Sequence, residues 1–190
     1  MNAVEIQEAL QTFLRDAYPA IDIRVEPWPE DRSRWAVYFR DEKFAVLYPQ
    51  QRFHYLSHLI PAEFRERELT NSVWFELAPG ETPADLVYPD EELVRDITEP
   101  VMNILRKSGF FGALDEAFTR AEQPATCSGD FRVAKSILPS KGFSDDEHFD
   151  IFHVLMAQGG YCDCEILYNV APHSELARRY WRNRPQGPHS

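Results

Sequence analysis

The chain has 190 residues, 44% of them hydrophobic and 13% aromatic, which is enough apolar material for one large domain or two small ones. The 20 basic residues stand against 31 acidic ones, and the resulting net charge of -11 disfavours phosphate backbones and anionic membranes as partners. No apolar run approaches the roughly 20 residues of a membrane span, and the N-terminus is acidic and amphipathic. We therefore expect a cytoplasmic protein whose partner is an unknown protein or small molecule, not nucleic acid or membrane.

Residues 1–123 predict an α+β domain. Asn2 and Glu5 form a capping pair ahead of an amphipathic helix over residues 3–18. Four segments rich in β-branched and aromatic residues follow, at 21–26, 35–40, 43–48 and 72–77. The second and third are joined only by Asp41 and Glu42, which is typical of a hairpin. We therefore expect an antiparallel sheet of four or five strands flanked by helices.

The pattern of the residues after the first domain predicts a small C-terminal module. Residues 89–121 are helical in pattern, whereas residues 121–130 have no periodicity and mark a domain boundary at about residue 123. Residues 124–182 then show two helices, the second begun by a capping box between Ser144 and Glu147, and a closing strand. This helix-helix-strand module is expected to pack on the first domain, with residues 183–190 as a mobile tail.

Two of the three cysteines, Cys162 and Cys164, flank Asp163 in the segment YCDCEILYNV. The composition predicts a strand, in which alternate side chains share one face. Cys162 and Cys164 would then share the face of Ile166 and Val170. In one interpretation this is the core face, and the thiols are small buried hydrophobic groups.

In a second interpretation, the two thiolates bind one soft cation together with Cys127 from the preceding segment. The fourth zinc ligand is left open, because no spacing rule selects among the candidates His148, His153, His173 and Asp130. A redox pair is a third interpretation, and the absence of a C-x-x-C arrangement disfavours it. The buried-thiol interpretation is narrowly preferred, so that no cofactor is expected and zinc is the alternative.

The other side of the predicted strand would carry Asp163, Glu165 and Asn169, which form a possible functional polar face. We expect the two carboxylates to be exposed or hydrogen-bonded. The chain has no G-x-S-x-G elbow, no glycine-rich phosphate loop and no kinase motifs. No catalytic residue is assigned, and enzymatic activity stays open.

The stretch GGYCDCEILYNV, with Cys127 upstream, resembles a bacterial family known only as a domain of unknown function. The resemblance covers residues 125–171, in which a GG-x-CDCE-(I/V)-L-x-NV strand closes a short C-terminal module. It implies a grouping and no activity. In that family a C-D-H type triplet contains the upstream cysteine, whereas this chain has Ser128 and Gly129 after Cys127. If that histidine completes a metal site in the relatives, its replacement argues against a metal here.

These observations leave three functional hypotheses. The first is a non-catalytic binding or regulatory protein, because the charge and the missing motifs remove the commoner enzymes and nucleic-acid binders. The second is a structural zinc-binding protein that uses Cys127, Cys162 and Cys164. A hydrolase with an unrecognised site is a distant third.

Overall fold

The structure is a computed structural model that describes residues 1–120 and 122–183. The chain divides into two compact units, Met1–Tyr88 and Pro89–Ser190. The predicted boundary near residue 123 lies inside the second unit, and the packing of residues 124–182 on the first domain as one cooperative unit stays a prediction. The predicted mobile tail, 183–190, falls outside the described residues except for Asn183. No helix in the described ranges is long and apolar enough to cross a membrane.

The first unit combines three helices with a three-stranded sheet. Its elements are α1 Ala3–Leu14, β1 Asp22–Pro27, β2 Trp35–Arg40, a 3₁₀ turn Glu42–Val46, α2 Pro49–Leu59, α3 Ala62–Glu68, β3 Ser72–Leu77 and a 3₁₀ turn Pro83–Asp85. The capping box of Asn2 and Glu5 begins α1, as predicted. β1 pairs antiparallel with β2, and β2 pairs parallel with β3. The sheet is therefore mixed, in the order β1-β2-β3.

The predicted antiparallel sheet of four or five strands is wrong, because residues 43–48 do not form a strand. The Asp41 carboxylate accepts a hydrogen bond from the backbone N–H of Lys43 at 2.9 Å, and this cap starts a 3₁₀ turn in place of a hairpin. The chain then runs through α2 and α3 before it reaches β3. Such a helical crossover brings the next strand back parallel to the one before it.

The core of the first unit lies between α1 and one face of the sheet. Ile6, Leu10 and Leu14 recur at helical spacing on α1 and are buried against Val37 and Phe39 of β2, among others. The pattern that predicted an amphipathic helix therefore identifies its buried face correctly.

One carboxylate lies on this apolar face. Glu76 of β3 is in register with Phe39 and is 1% exposed, and its Oε1 has no hydrogen-bond partner in the part of the chain that the structure describes. The guanidinium of Arg52 donates to the backbone carbonyl of Glu76 at 2.7 Å and to the carboxylate of Glu81 at 3.0 Å. Burial raises the pKa of Glu76 to about 7, although its own backbone N–H and Arg52 act in the opposite direction. The first unit therefore has a titratable group in its core.

The second unit is helical in its described residues. Its elements are α4 Glu91–Lys107, α5 Phe110–Thr119, α6 Arg132–Ile137, 3₁₀ turns Leu138–Lys141 and Asp145–Glu147, α7 His148–Ala157, α8 Asp163–Glu165, a π-helical turn Ile166–Val170 and α9 Glu175–Asn183. The predicted capping box is present, since the backbone N–H of Ser144 donates to Glu147 at 2.7 Å. Gly159 adopts a φ of 87° and ends α7, as glycine does in left-handed helix termini.

The strand predicted for YCDCEILYNV is also wrong, because this segment forms α8 and the π turn. Buried side chains occur at Cys162, Asp163, Ile166 and Leu167, which is the spacing of a helix and not of an alternating strand. The carboxylate of Glu165 accepts the backbone N–H of Tyr161 at 2.9 Å and supports this helical start. The described residues of the second unit contain no strand with which the segment could pair.

A cysteine cluster as candidate functional site

The structure brings the three cysteines together. The Sγ atoms of Cys127 and Cys162 lie 3.5 Å apart, although the two residues are 35 positions apart in the chain. The thiol of Cys164 interacts with both of these sulfurs. All three cysteines are free; Cys162 is buried, Cys164 is half-buried and Cys127 is exposed. The description of the strand cysteines as small buried hydrophobic groups therefore fits Cys162 and does not fit Cys164.

The proximity of the sulfurs sets their protonation. Hydrogen bonds from the Cys162 and Cys164 thiols hold the pKa of Cys127 well below its usual range. The pKa values of Cys162 and Cys164 are raised, first because each donates its proton to the Cys127 sulfur and then because burial disfavours a second and third negative charge. Cys127 is therefore the sulfur of the cluster that loses its proton most readily.

Asp163 holds the cysteine segment against α6. Its side chain is 1% exposed, and its two oxygens accept the backbone N–H groups of Val133 and Ala134 at 2.9 Å each. Its own backbone N–H donates to the carbonyl of Asp130 at 3.0 Å. Burial raises the pKa of Asp163 to about 6, against the lowering effect of these two N–H donors. The Cys127–Asp130 loop and the Cys162–Cys164 segment are thereby fixed next to each other.

The other residues of the predicted polar face make local backbone contacts. Glu165 accepts the N–H of Tyr161, and the side-chain amide of Asn169 donates to the carbonyl of Gly159 at 2.7 Å. Asp163, Glu165 and Asn169 do not share the face of a strand, because the segment is helical. A further functional role for these three residues stays a prediction.

The four candidates for a fourth metal ligand have different surroundings. The carboxylate of Asp130 accepts the hydroxyl of Ser128 at 2.7 Å and the N–H of Arg132 at 3.1 Å. A ring nitrogen of His153 lies 2.6 Å from the carbonyl oxygen of Phe149, and burial lowers the pKa of this histidine. His148 lies on α7 with its Nδ1 3.7 Å from Asp145, and His173 precedes α9.

The cluster is not a finished metal site. Within residues 1–120 and 122–183, no group of three or more histidine, cysteine, aspartate or glutamate side chains is arranged so that it could hold a metal ion as it stands. The sulfurs would have to adjust to bind one ion together. The donor set itself, three soft thiol groups, suits zinc and other thiophilic cations.

Two features of this region were not found from the sequence. The first is the role of Asp163 as a buried acceptor for α6, which composition does not reveal because its donors lie 30 and 29 positions away. The second is α9, on which Arg178 and Arg182 follow each other at an interval of four residues, next to Ala177 and Trp181 at the same interval. This helical periodicity was present in the sequence and would have identified the helix.

Comparison with known proteins gives one finding for this region. Residues 114–169 match the model of a family described as Protein of unknown function (DUF2695). The matched stretch contains all three cysteines and Asp163. No curated protein and no solved structure matches the chain. Over residues 114–169, the chain is therefore similar to a family whose function is unknown, and the expected resemblance to such a family is confirmed at this level.

Proposed function

We propose that this protein is a non-catalytic binding protein whose cysteine cluster takes up one soft divalent cation, zinc above all. The observation that carries the proposal is the 3.5 Å separation of the Cys127 and Cys162 sulfurs, with Cys164 in contact with both. Two thiolates bound to one tetrahedral zinc ion lie roughly 3.8 Å apart, because each zinc–sulfur bond is about 2.3 Å long. The adjustment that the ion requires is therefore small.

The electrostatics of the cluster also support a cation. The lowered pKa of Cys127 keeps a negative charge beside two further thiols, and an ion would displace the protons that those thiols share with it. Cys127 is exposed, so an ion has a path to the cluster and water can complete its coordination. We assign no reaction to the protein, and we place it in the cytoplasm, where three free cysteines stay reduced.

The proposal is tested by titrating the full chain, reduced and freed of metal, with cobalt and with zinc. We expect one ion per chain and a sulfur-to-cobalt charge-transfer absorption band, since thiolate ligands produce that band. Cys162→Ser should weaken binding by more than about 100-fold, because even the loss of outer-shell contacts to a metal ligand costs roughly 10- to 100-fold. Cys127→Ser and Cys164→Ser should each remove part of the charge-transfer intensity.

The matched control is Ser128→Ala, which alters a hydroxyl next to Cys127 and leaves all three sulfurs in place. This variant should bind cobalt within about twofold of the unaltered chain, since no thiolate ligand is removed. If cobalt produces no sulfur charge-transfer band in the unaltered chain, or if zinc is lost on gel filtration, the proposal fails. The cluster would then be a set of hydrogen-bonded thiols without a cation.

A further inference from the structure

A groove of about 520 Å³ is lined by the π turn, the connection after it and α9. Two aromatic side chains on its walls, Tyr168 and Trp181, are 38% and 61% exposed. Arg178 and Arg182 line the groove from α9, and His173 lines it from the connection. The lining thus combines flat aromatic rings with two guanidinium groups and one imidazole.

The positive charge of this groove contrasts with the chain as a whole, whose net charge is -11. Glu175 forms ion pairs with Arg178 at 3.7 Å and with Arg179 at 3.3 Å. Arg182 forms no hydrogen bond or ion pair with the other described residues, and its side chain is exposed. A local cationic site on an acidic protein favours a small anion over an anionic polymer, since the surrounding charge repels a long one.

The walls of the groove are held in place by α5. The carboxylate of Asp115 accepts the Ser174 hydroxyl at 2.9 Å and the backbone N–H groups of Glu175 and Leu176 at 2.7 and 3.0 Å. His173 has a φ of 61°, the one positive value for a residue other than glycine in the described ranges. The guanidinium of Arg178 donates to the carbonyl of this same residue. The wall formed by α9 and the connection before it is therefore held in place without a ligand.

We propose that this groove binds a small aromatic anion of nucleotide size. The flat part of the ligand stacks on Trp181 and Tyr168, and its phosphate or carboxylate pairs with Arg182 and Arg178. The volume of the groove falls within the roughly 300–1,000 Å³ that is typical of small-molecule sites. Either part of such a ligand alone would use only half of the lining.

The experiment measures binding of four probes to the full chain by calorimetry, with reductant and chelator present. Adenosine monophosphate and indole-3-acetate carry both a ring and a negative group, adenosine carries only the ring, and inorganic phosphate only the charge. We expect at least one of the first two to bind about tenfold more tightly than either of the others, as one lost ion pair or stacking contact is worth about 1.4 kcal/mol. The tighter of the two identifies phosphate or carboxylate as the preferred group.

Variants then locate the site. Arg182→Gln and Trp181→Ala should each weaken the tightest probe about tenfold, and added salt should weaken it as well. The matched control is Arg179→Gln, on the same helix but outside the lining of the groove, which should change affinity less than about twofold. The proposal is overturned if neither aromatic anion binds saturably, or if the control weakens binding as much as Arg182→Gln. Self-association that Arg182→Gln abolishes, without ligand binding, would also overturn it and assign the groove to a second copy of the chain.

Discussion

Replacing Asp163 with alanine should loosen the second unit at α6. The alanine leaves the N–H groups of Val133 and Ala134 without the carboxylate oxygens that accept them at 2.9 Å. A buried polar group without a partner costs about 1–3 kcal/mol, so that two cost about 2–6 kcal/mol. Burial of the carboxylate, which raises its pKa to about 6, offsets part of this loss. We therefore expect a destabilisation of about 3 kcal/mol.

Amide hydrogen exchange on the full chain measures this loss where it arises. A local change of about 3 kcal/mol should speed exchange at Val133 and Ala134 by roughly 100-fold, since each 1.4 kcal/mol is about a factor of ten. Asp163→Asn should fall between the native chain and Asp163→Ala, because its amide keeps one acceptor oxygen. The control is Asp146→Ala, an exposed carboxylate on the 3₁₀ turn before α7. Unchanged protection of α6 in Asp163→Ala, or an equal loss in the control, would refute the argument.

Three further predictions use other parts of the structure. The folded-state pKa of Glu76 is raised to about 7, so its contribution to stability should be complete below pH 4.5 and lost as the pH rises through 7. Urea unfolding should show a fall of roughly 3 kcal/mol in the free energy of unfolding over this range, and Glu76→Gln should remove the pH dependence. At Gly160 an added Cβ would lie 3.0 Å from a side-chain carbon of the π turn, so Gly160→Ala should lower the melting temperature. The control is Gly112→Ala, in which the added Cβ has no atom within 4 Å and should raise the free energy of unfolding by about 0.5–1 kcal/mol. In metal-free protein, peroxide should oxidise the Cys127 thiolate to a sulfenic acid with release of hydroxide; attack by a neighbouring thiol, that of Cys162 or Cys164, then expels water and forms a disulfide. Peptide mass spectrometry detects this disulfide, and a Cys127 sulfur that is oxidised without joining either neighbour would contradict the geometry.

The sequence predicted the elements whose cause is local. The α1 capping box, the capping box of Ser144 and Glu147, and the β-rich segments at β1, β2 and β3 all depend on residues within a few positions of one another. Each of these was found. The third predicted strand failed because Asp41 can cap a turn as well as extend a hairpin, and the sequence does not say which.

The cysteine segment failed for a different reason. Its β-branched and aromatic residues favour a strand, but Asp163 is fixed by N–H donors about 30 positions earlier, and this contact outweighs the local preference. The convergence of Cys127 with Cys162 is likewise a long-range contact that spacing alone does not predict. The sequence did identify the cysteines as the candidate site residues, and all three lie in the cluster.

The contact between Cys127 and Cys162 also has a consequence for the unfolded chain. A bridge between these sulfurs, whether through an ion or a covalent bond, would close a loop of about 35 residues and restrict the denatured ensemble. For a loop of that length the lost chain entropy corresponds to roughly 4 kcal/mol at 25 °C. The segment would then resist proteases when an ion or a disulfide joins the sulfurs and would lose that resistance when the bridge is absent. The degradation rate, and with it the cellular abundance of the protein, would depend on whether the bridge is present.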